Sequence, residues 1–265
     1  MATDIRDSST GEPEQRRFSH VSNVTGYMLR VVDVVQGHFG ERLRGAKVLD
    51  MPAGNGWVTT TLRSLGANVT PADINRERSD YVYADMENPL PFENESFDCV
   101  LCMEGIEHVL SPTALYRELA RVLKPGGLLV ISTPNIQNFF SRMQFASVGY
   151  FYQFHPSAVM QRPPPSPNEE PTDRGHVSPM SYLQLRYLAE EFGLRTLSPT
   201  GDKLKRIGNL PFYIPFILLG LWWGWRDYMR GGRNASQKEI LRHLFSLRVL
   251  FSRSLIFVAQ KALVR

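Results

Sequence analysis

Lys47-Val-Leu-Asp50-Met-Pro-Ala-Gly54-Asn-Gly56, followed at once by Trp57-Val-Thr-Thr-Thr-Leu62, is the stretch whose reading decides the fold. Val48 and Leu49 make an apolar strand that ends in a carboxylate, small residues turn the chain, and a helix opens at Trp57. Such a corner brings backbone N–H groups and an acid to the carboxyl edge of a sheet, where open α/β folds bind ligands.

Outward from that corner the pattern repeats. Ala67 to Ile74 reads as a second strand carrying Asp73, 23 residues after Asp50, the offset at which a nucleotide-binding sheet sets a carboxylate against ribose hydroxyls. Tyr81 to Met86 is a short third strand containing Asp85, and Cys99 to Met103 is a fourth that runs into Glu104, Glu107 and His108. Ser111-Pro112 caps a helix through Leu115, Leu119 and Leu123, which Lys124-Pro-Gly-Gly127 stops. Leu128 to Ser132 is apolar on both faces, as a central strand should be. Ser178 to Ser181 opens another helix, Leu194 to Ser198 is strand six, and Ser254 to Gln260 is its hairpin partner. Before all of these, Val24, Met28, Val31, Val32 and Val35 mark a lead-in helix within Phe18 to Phe39, whose start at Arg17 to His20 could fold over a ligand. Strands alternating with helices predict an α/β fold: a Rossmann-like, doubly wound, mostly parallel sheet of seven strands with its site along one edge.

With 265 residues, 43% apolar and 21% charged, the chain suits one globular α/β domain over 18–265 behind a frayed tail, 1–17. That tail is polar, so no signal peptide is expected and a cytoplasmic location is. Cys99 and Cys102 are the only cysteines; three apart on a strand they face opposite ways, which suits buried thiols better than a zinc or redox pair.

Two insertions stand out. Residues 139–177, aromatic at first and proline-rich at 161–172, form a candidate lid over the acceptor, flanked by His155 and His176. Residues 201–253 separate the last two strands and hold Ile207 to Trp225, nineteen residues without a charge. Asn209, Pro211 and Pro215 are expected to shorten any continuous helix there, and a membrane crossing would strand the final strand on the wrong side. The net charge of +4 conceals twelve Lys or Arg against three acids from Gly201 onward. Two readings stay open: a helix lying in an anionic membrane surface through 203–230, or an apolar insertion packed on the domain or at a homodimer interface.

Taken in order, Val48-Leu49-Asp50-x-x-Ala-Gly54-x-Gly56, Asp73, Asp85-Met86-x-Asn-Pro-Leu-Pro-Phe92, Ser96-Phe97-Asp98, Glu107-His108-Val109 and Leu123-Lys-Pro-Gly-Gly127 resemble the class I S-adenosylmethionine-dependent methyltransferases over residues 45–135. The departure is Pro52, where that family usually has glycine; no Gly-x-Gly-x-x-Gly can be drawn through the turn, which counts against a dinucleotide. The resemblance implies S-adenosyl-L-methionine as cofactor. The turn Ala53, Gly54, Asn55 and Gly56 would pack on its methionine part with Asp50 in support. Asp73 would take the ribose hydroxyls and Asp85 the adenine amino group. Ile74 and Met86 would cover the ring faces, and Met103 and Glu104 would lie beside the sulfonium.

Methyl transfer is an in-line displacement at an activated carbon, so the protein must position both partners and, for a hydroxyl acceptor, remove a proton. Glu104, Glu107 and His108 share one side if a helical turn follows strand four. They could be a proton acceptor held by acids, the ligands of a divalent cation, or structural. The O-methyltransferases of quinone biosynthesis and the small-RNA 3′-end 2′-O-methyltransferases look similar here; the RNA branch also matches at Ser132 to Asn135 and in a later histidine, His176. Because the basic excess is interleaved with Leu, Phe and Trp, nucleic acid is disfavoured as partner. Methylation of oxygen on a small-molecule or lipid-like acceptor is the expectation, ahead of nitrogen or carbon acceptors and of a catalytically silent scaffold.

Overall fold

The computed structural model describes residues 23–76, 78–155, 175–231 and 234–263. The tail 1–17, the start of the lead-in helix and the proline-rich run 161–172 lie outside the described residues.

The strands are β1 (Lys47–Asp50), β2 (Asn68–Asp73), β3 (Val82–Tyr83), β4 (Phe97–Met103), β5 (Leu123–Pro134), β6 (Leu194–Thr196), β7 (Thr200–Gly201) and β8 (Ser254–Lys261). The helices are α1 (Gly26–Phe39), α2 (Trp57–Ser64), α3 (Pro112–Val122), α4 (Phe139–Val148), α5 (Tyr182–Glu191), α6 (Leu210–Arg230), α7 (Ala235–Leu244) and α8 (Leu247–Phe251). The sheet runs β3-β2-β1-β4-β5-β8-β6, the seven strands expected, and the two-residue β7 adds a further pairing to β8. β1 to β5 pair in parallel, and β8 runs antiparallel to β5, β6 and β7.

Alternation along each strand feeds two cores. Leu49, Val100, Cys102, Leu129 and Ile131 pack on one face with Leu115 and Leu119 of α3 and Leu185 of α5. Val48, Cys99, Leu101 and Val130 pack on the other with Val31 and Val35 of α1 and Leu62 of α2. Cys99 and Cys102 are therefore buried free thiols on opposite faces. Lys124 to Gly127 ends α3 as expected, yet it belongs to β5: pairing begins at Leu123 opposite Phe97, and a bulge there absorbs the extra residues. Ser181 and Gln184 close a reciprocal capping box on α5.

The insertions depart from the sequence reading. Residues 139–177, expected to be irregular, begin as α4, capped by Asn138 accepting from the Ser141 amide and stopped by left-handed Gly149. In 201–253, α6 runs unbroken for 21 residues through Pro215. Pro211 falls in the first turn, where an amide has no intrahelical acceptor, and Pro215 forfeits a single bond, so the expected shortening does not occur. Nor is α6 packed on the domain along its length. Tyr213 is its one buried residue, stacked on Phe139 at 4.8 Å, whereas Phe212 is 77% and Trp225 60% exposed.

The rest of the insertion holds α6 in place. Gly220 and Gly224 face Phe245 and Leu241 so closely that a Cβ would come within 3.2 Å and 2.8 Å of them. α7 is moored by His243, whose Nδ1 accepts the Tyr182 hydroxyl at 2.6 Å; Tyr182 in turn accepts from Arg186. Burial lowers the pKa of His243, consistent with a neutral acceptor ring. At the neck, Thr200 pairs with Ile256, Leu204 bridges Ser252, and buried Asn135 donates to the carbonyls of Val249 (2.8 Å) and Ser252 (3.1 Å).

Candidate active site

β1 delivers Asp50 into a fully buried position, where Oδ2 accepts the Thr59 hydroxyl at 2.6 Å and Oδ1 meets no donor among the described residues. Burial pushes its pKa up to about 7, against the pull of Thr59 and with some help from Asp73. Beyond it the chain turns with Gly54 (φ 52°) and Gly56 (φ 74°) in the left-handed region. Pro52 is not among the left-handed residues, so its ring costs the turn nothing it needs. Tyr81 donates its hydroxyl to the Gly54 carbonyl at 3.3 Å and leaves no room for a side chain at Gly56.

β2 sets Asp73 against this turn. Its Oδ2 accepts the Gly54 amide and its Oδ1 the Asn75 amide, both at 2.9 Å; each oxygen keeps a lone pair for a further donor. Asp85 accepts from the Glu87 amide at 3.0 Å and the Asn88 side chain at 2.7 Å. These groups border a cleft of about 450 Å³ whose walls include Ala53, Gly54, Asn55, Asp73, Ile74, Asp85, Met86, Met103, Glu104 and His108. Of the residues singled out from sequence, Asp50, Gly56 and Glu107 stand behind the wall instead of in it. Asp73 with acceptor capacity to spare, a second acid at Asp85, the apolar side chains of Ile74 and Met86 and the glycine turn at 53–55 border one cleft, a set that an adenosyl cofactor would fit.

The other half of the cleft corrects the expected constellation. Glu104 adopts φ 46°, rare for a side chain of this type, and its carboxylate accepts from Ser132 Oγ at 3.1 Å. The chain then enters a 3-10 turn, Ile106–His108, not an α turn; Glu104 and His108 still line the same cleft, and buried Glu107 does not. The group that converges is Glu107, His108 and His176, whose ligand atoms lie within 4.8 Å of one another. His176 is brought in because the Val177 and Ser178 amides both donate to the Glu107 carbonyl. Its Nδ1–H donates to the Gln153 carbonyl at 2.8 Å, and its ring meets His108 edge-on at 4.8 Å. His155 is exposed, against Tyr150, and takes no part in the cleft.

Burial pushes the Glu104 pKa up to about 7, outweighing the hydroxyls of Ser132 and Ser254 and the charge of Arg253. Thr25, Tyr27, Gln153 and Arg253 also line the cleft and were not singled out from sequence. Burial, with Glu104 nearby, raises the Tyr27 pKa well above its usual 10, so Tyr27 stays a neutral hydroxyl. The two halves meet at Gly105, where a Cβ would stand 2.6 Å from Pro52 Cδ and 3.2 Å from Met86 Sδ.

A family model described as a methyltransferase domain matches residues 24–198. This chain belongs to that family. Its fold and matched domain make it a class I S-adenosylmethionine-dependent methyltransferase. The ubiquinone biosynthesis O-methyltransferase of Xanthomonas oryzae pv. oryzae is 40% identical over 107 residues, 35% of this chain and 45% of that relative. Its counterpart from Xanthomonas euvesicatoria pv. vesicatoria is 39% identical over the same length. The chain thus spans under half the length of these curated relatives. Among solved structures, an S-adenosylmethionine-dependent methyltransferase from Archaeoglobus fulgidus has a TM-score of 0.54 at 16% identity, covering 88% of this chain and 94% of that one. One from Methanosarcina mazei has a TM-score of 0.51 at 16% identity, covering 87% and 98%. At such identities the likeness is one of fold.

Proposed function

We propose that this methyltransferase methylates a hydroxyl oxygen of a small-molecule acceptor, with Glu104 as the proton acceptor. The observation that carries the reading is Glu104 itself: a carboxyl held near neutrality at the end of β4, in the same cleft as Asp73 and Asp85. A base of that strength takes a proton from a hydroxyl as its oxygen gains the methyl group, and the ideal catalytic pKa lies near working pH. The bound cofactor supplies a methyl carbon activated by its sulfonium. Asp73 and Asp85 would hold the adenosyl part, Met103 would lie toward the methyl group, and His108 and His176 would orient the acceptor. That the two Xanthomonas relatives are O-methyltransferases supports oxygen over nitrogen.

A second reading rests on the convergence of Glu107, His108 and His176. Two imidazoles and one carboxylate suit a first-row transition metal better than magnesium, which prefers oxygen donors. Such an ion would hold the acceptor oxygens and lower their pKa.

Calorimetry with S-adenosylmethionine on the wild type and on Asp73→Ala tests the cofactor half; a variant of unchanged affinity would remove Asp73 from the ribose. Transfer of labelled methyl to a panel of phenols, catechols and amines tests the acceptor half, and label confined to amines would overturn oxygen transfer. Chelation before assay separates the readings: only the metal reading predicts loss of turnover and recovery on adding manganese or zinc.

A further inference from the structure

Apart from Arg253 at its neck, the insertion between β7 and β8 stands outside the cleft, and its long helix leaves nine large apolar side chains exposed. We infer that α6 is a docking element for an anionic phospholipid bilayer, lying in the interface plane.

The geometry of the helix points there. Tyr213, Ile217, Gly220 and Gly224 follow one narrow stripe, and that stripe is covered by Phe139, Phe251, Leu241 and Phe245. At 100° per residue, Phe212, Ile214, Phe216, Leu218, Leu219, Leu221, Trp222, Trp223 and Trp225 sweep the remaining arc, roughly two thirds of the circumference. All nine are exposed, by 45–77%. A soluble helix exposes its polar face; this one exposes its apolar one.

Length and composition alone would allow α6 to cross a membrane. The topology does not. β7 and β8 pair with each other, so both ends of the insertion are fixed to one sheet, and a crossing would require a return. Among the described residues, the helices available to return are α7, ten residues with Lys238, Glu239, Arg242 and His243, and the five-residue α8. Neither spans a bilayer. The helix therefore lies along the surface with its apolar arc sunk in the headgroup boundary.

Charge selects the surface. Lys203, Lys205 and Arg206 precede the helix, and Arg226 and Arg230 close it. Only Asp227 lies between Lys203 and Gly231 to oppose them. Arg226 stacks over Trp222 and Trp223, its guanidinium 5.4 and 4.8 Å from their rings, and tryptophan and arginine together suit the headgroup layer. A second copy of the chain is the rival occupant. In a two-fold contact the helices would lie face to face with both ends basic, so like charges would meet, and one flat partner could not cover so wide an arc. Anionic lipid satisfies both the arc and the charge.

The consequence for the reaction rests on the oxygen-transfer reading: Arg253 lies at the neck of the insertion and lines the cleft. An acceptor dissolved in the bilayer would approach the acceptor half from that side.

The test uses the full chain and needs no turnover. Flotation with phosphatidylcholine vesicles containing about 30% phosphatidylglycerol should carry the protein to the top, and pure phosphatidylcholine should hold at least tenfold less. Each surface cation contributes about a fivefold gain in partitioning, so Lys203→Glu with Lys205→Glu should lose about 25-fold or more, and high salt should do the same. Leu218→Ser with Trp222→Ser should abolish flotation while thermal unfolding stays unchanged, since both side chains are exposed. Sedimentation equilibrium without lipid should give a monomer. A protein that stays in solution, a serine variant that floats equally well, or a dimer that the serine variant dissociates would each overturn the proposal.

Discussion

Replacing Asp50 by asparagine should make the fold more stable at neutral pH, and by an amount that depends on pH. Asp50 is wholly buried, one oxygen is satisfied by Thr59, and the other meets no donor among the described residues. Burial moves its pKa from the ordinary 3.8 up to about 7. In the unfolded chain the carboxyl ionises near 3.8, whereas in the folded chain it holds its proton until about 7. The folded state thus binds more protons between those values, and its stability falls as pH rises through that window. At 1.36 kcal/mol per pKa unit the loss is about 4 kcal/mol, complete above about pH 7. Asparagine keeps an acceptor for Thr59 and has no charge to bury. Urea unfolding of both proteins without cofactor, from about pH 4 to about pH 8, gives the stability difference at each pH. That difference should grow in favour of Asp50→Asn by about 4 kcal/mol across the range. Taking the difference cancels the slope that Glu104 adds to both proteins. A difference constant to within about 1 kcal/mol would mean that Asp50 titrates normally, and the burial argument would fail.

Glu104→Gln should lower kcat by about 100-fold or more while leaving cofactor affinity intact. In the wild type, kcat/KM should rise as pH passes about 7 and Glu104 deprotonates; the variant should lose that rise, and a profile that keeps it would assign the base elsewhere. Asn135→Ala should cost about 3 kcal/mol in urea unfolding, since it leaves the Val249 and Ser252 carbonyls and the Gln137 amide without their buried partner. A loss under about 1 kcal/mol would show that the neck of the insertion does not depend on it.

The half of the cleft around Asp73 was legible in the sequence because it is built from strand ends. Asp50, Gly54, Asp73 and Asp85 each follow a short apolar run, and parallel pairing brings such ends to one edge whatever the intervening loops do. The acceptor half was read less well, for a local reason. The spacing of Glu104, Glu107 and His108 suggests one ligand set, yet the side chains that converge are Glu107, His108 and the distant His176, while Glu104 accepts from Ser132. Tyr27 and Arg253 were missed because nothing in their neighbourhoods marks them. They enter the cleft from α1 and from the residue just before the antiparallel last strand, which only the assembled sheet places there. In the insertion, proline was read as a helix breaker, but Pro211 falls where an amide is spare and Pro215 costs one bond in 21 residues.

Gly105 is where the cleft's two loops touch, with Pro52 on one side and Met86 on another. Close-packed surfaces of this kind do not slide freely past each other; they interlock. Any shift of the turn that receives the cofactor is handed on through the Pro52 ring to Gly105, and from there to its neighbour Glu104. On the oxygen-transfer reading, the pose of Glu104 would then follow whether the cofactor is seated, through contact and not through charge. Saturating the protein with cofactor should displace the Gly105 amide resonance, and Pro52→Gly, which removes the intermediary ring, should weaken that response while the Gly54 resonance still moves.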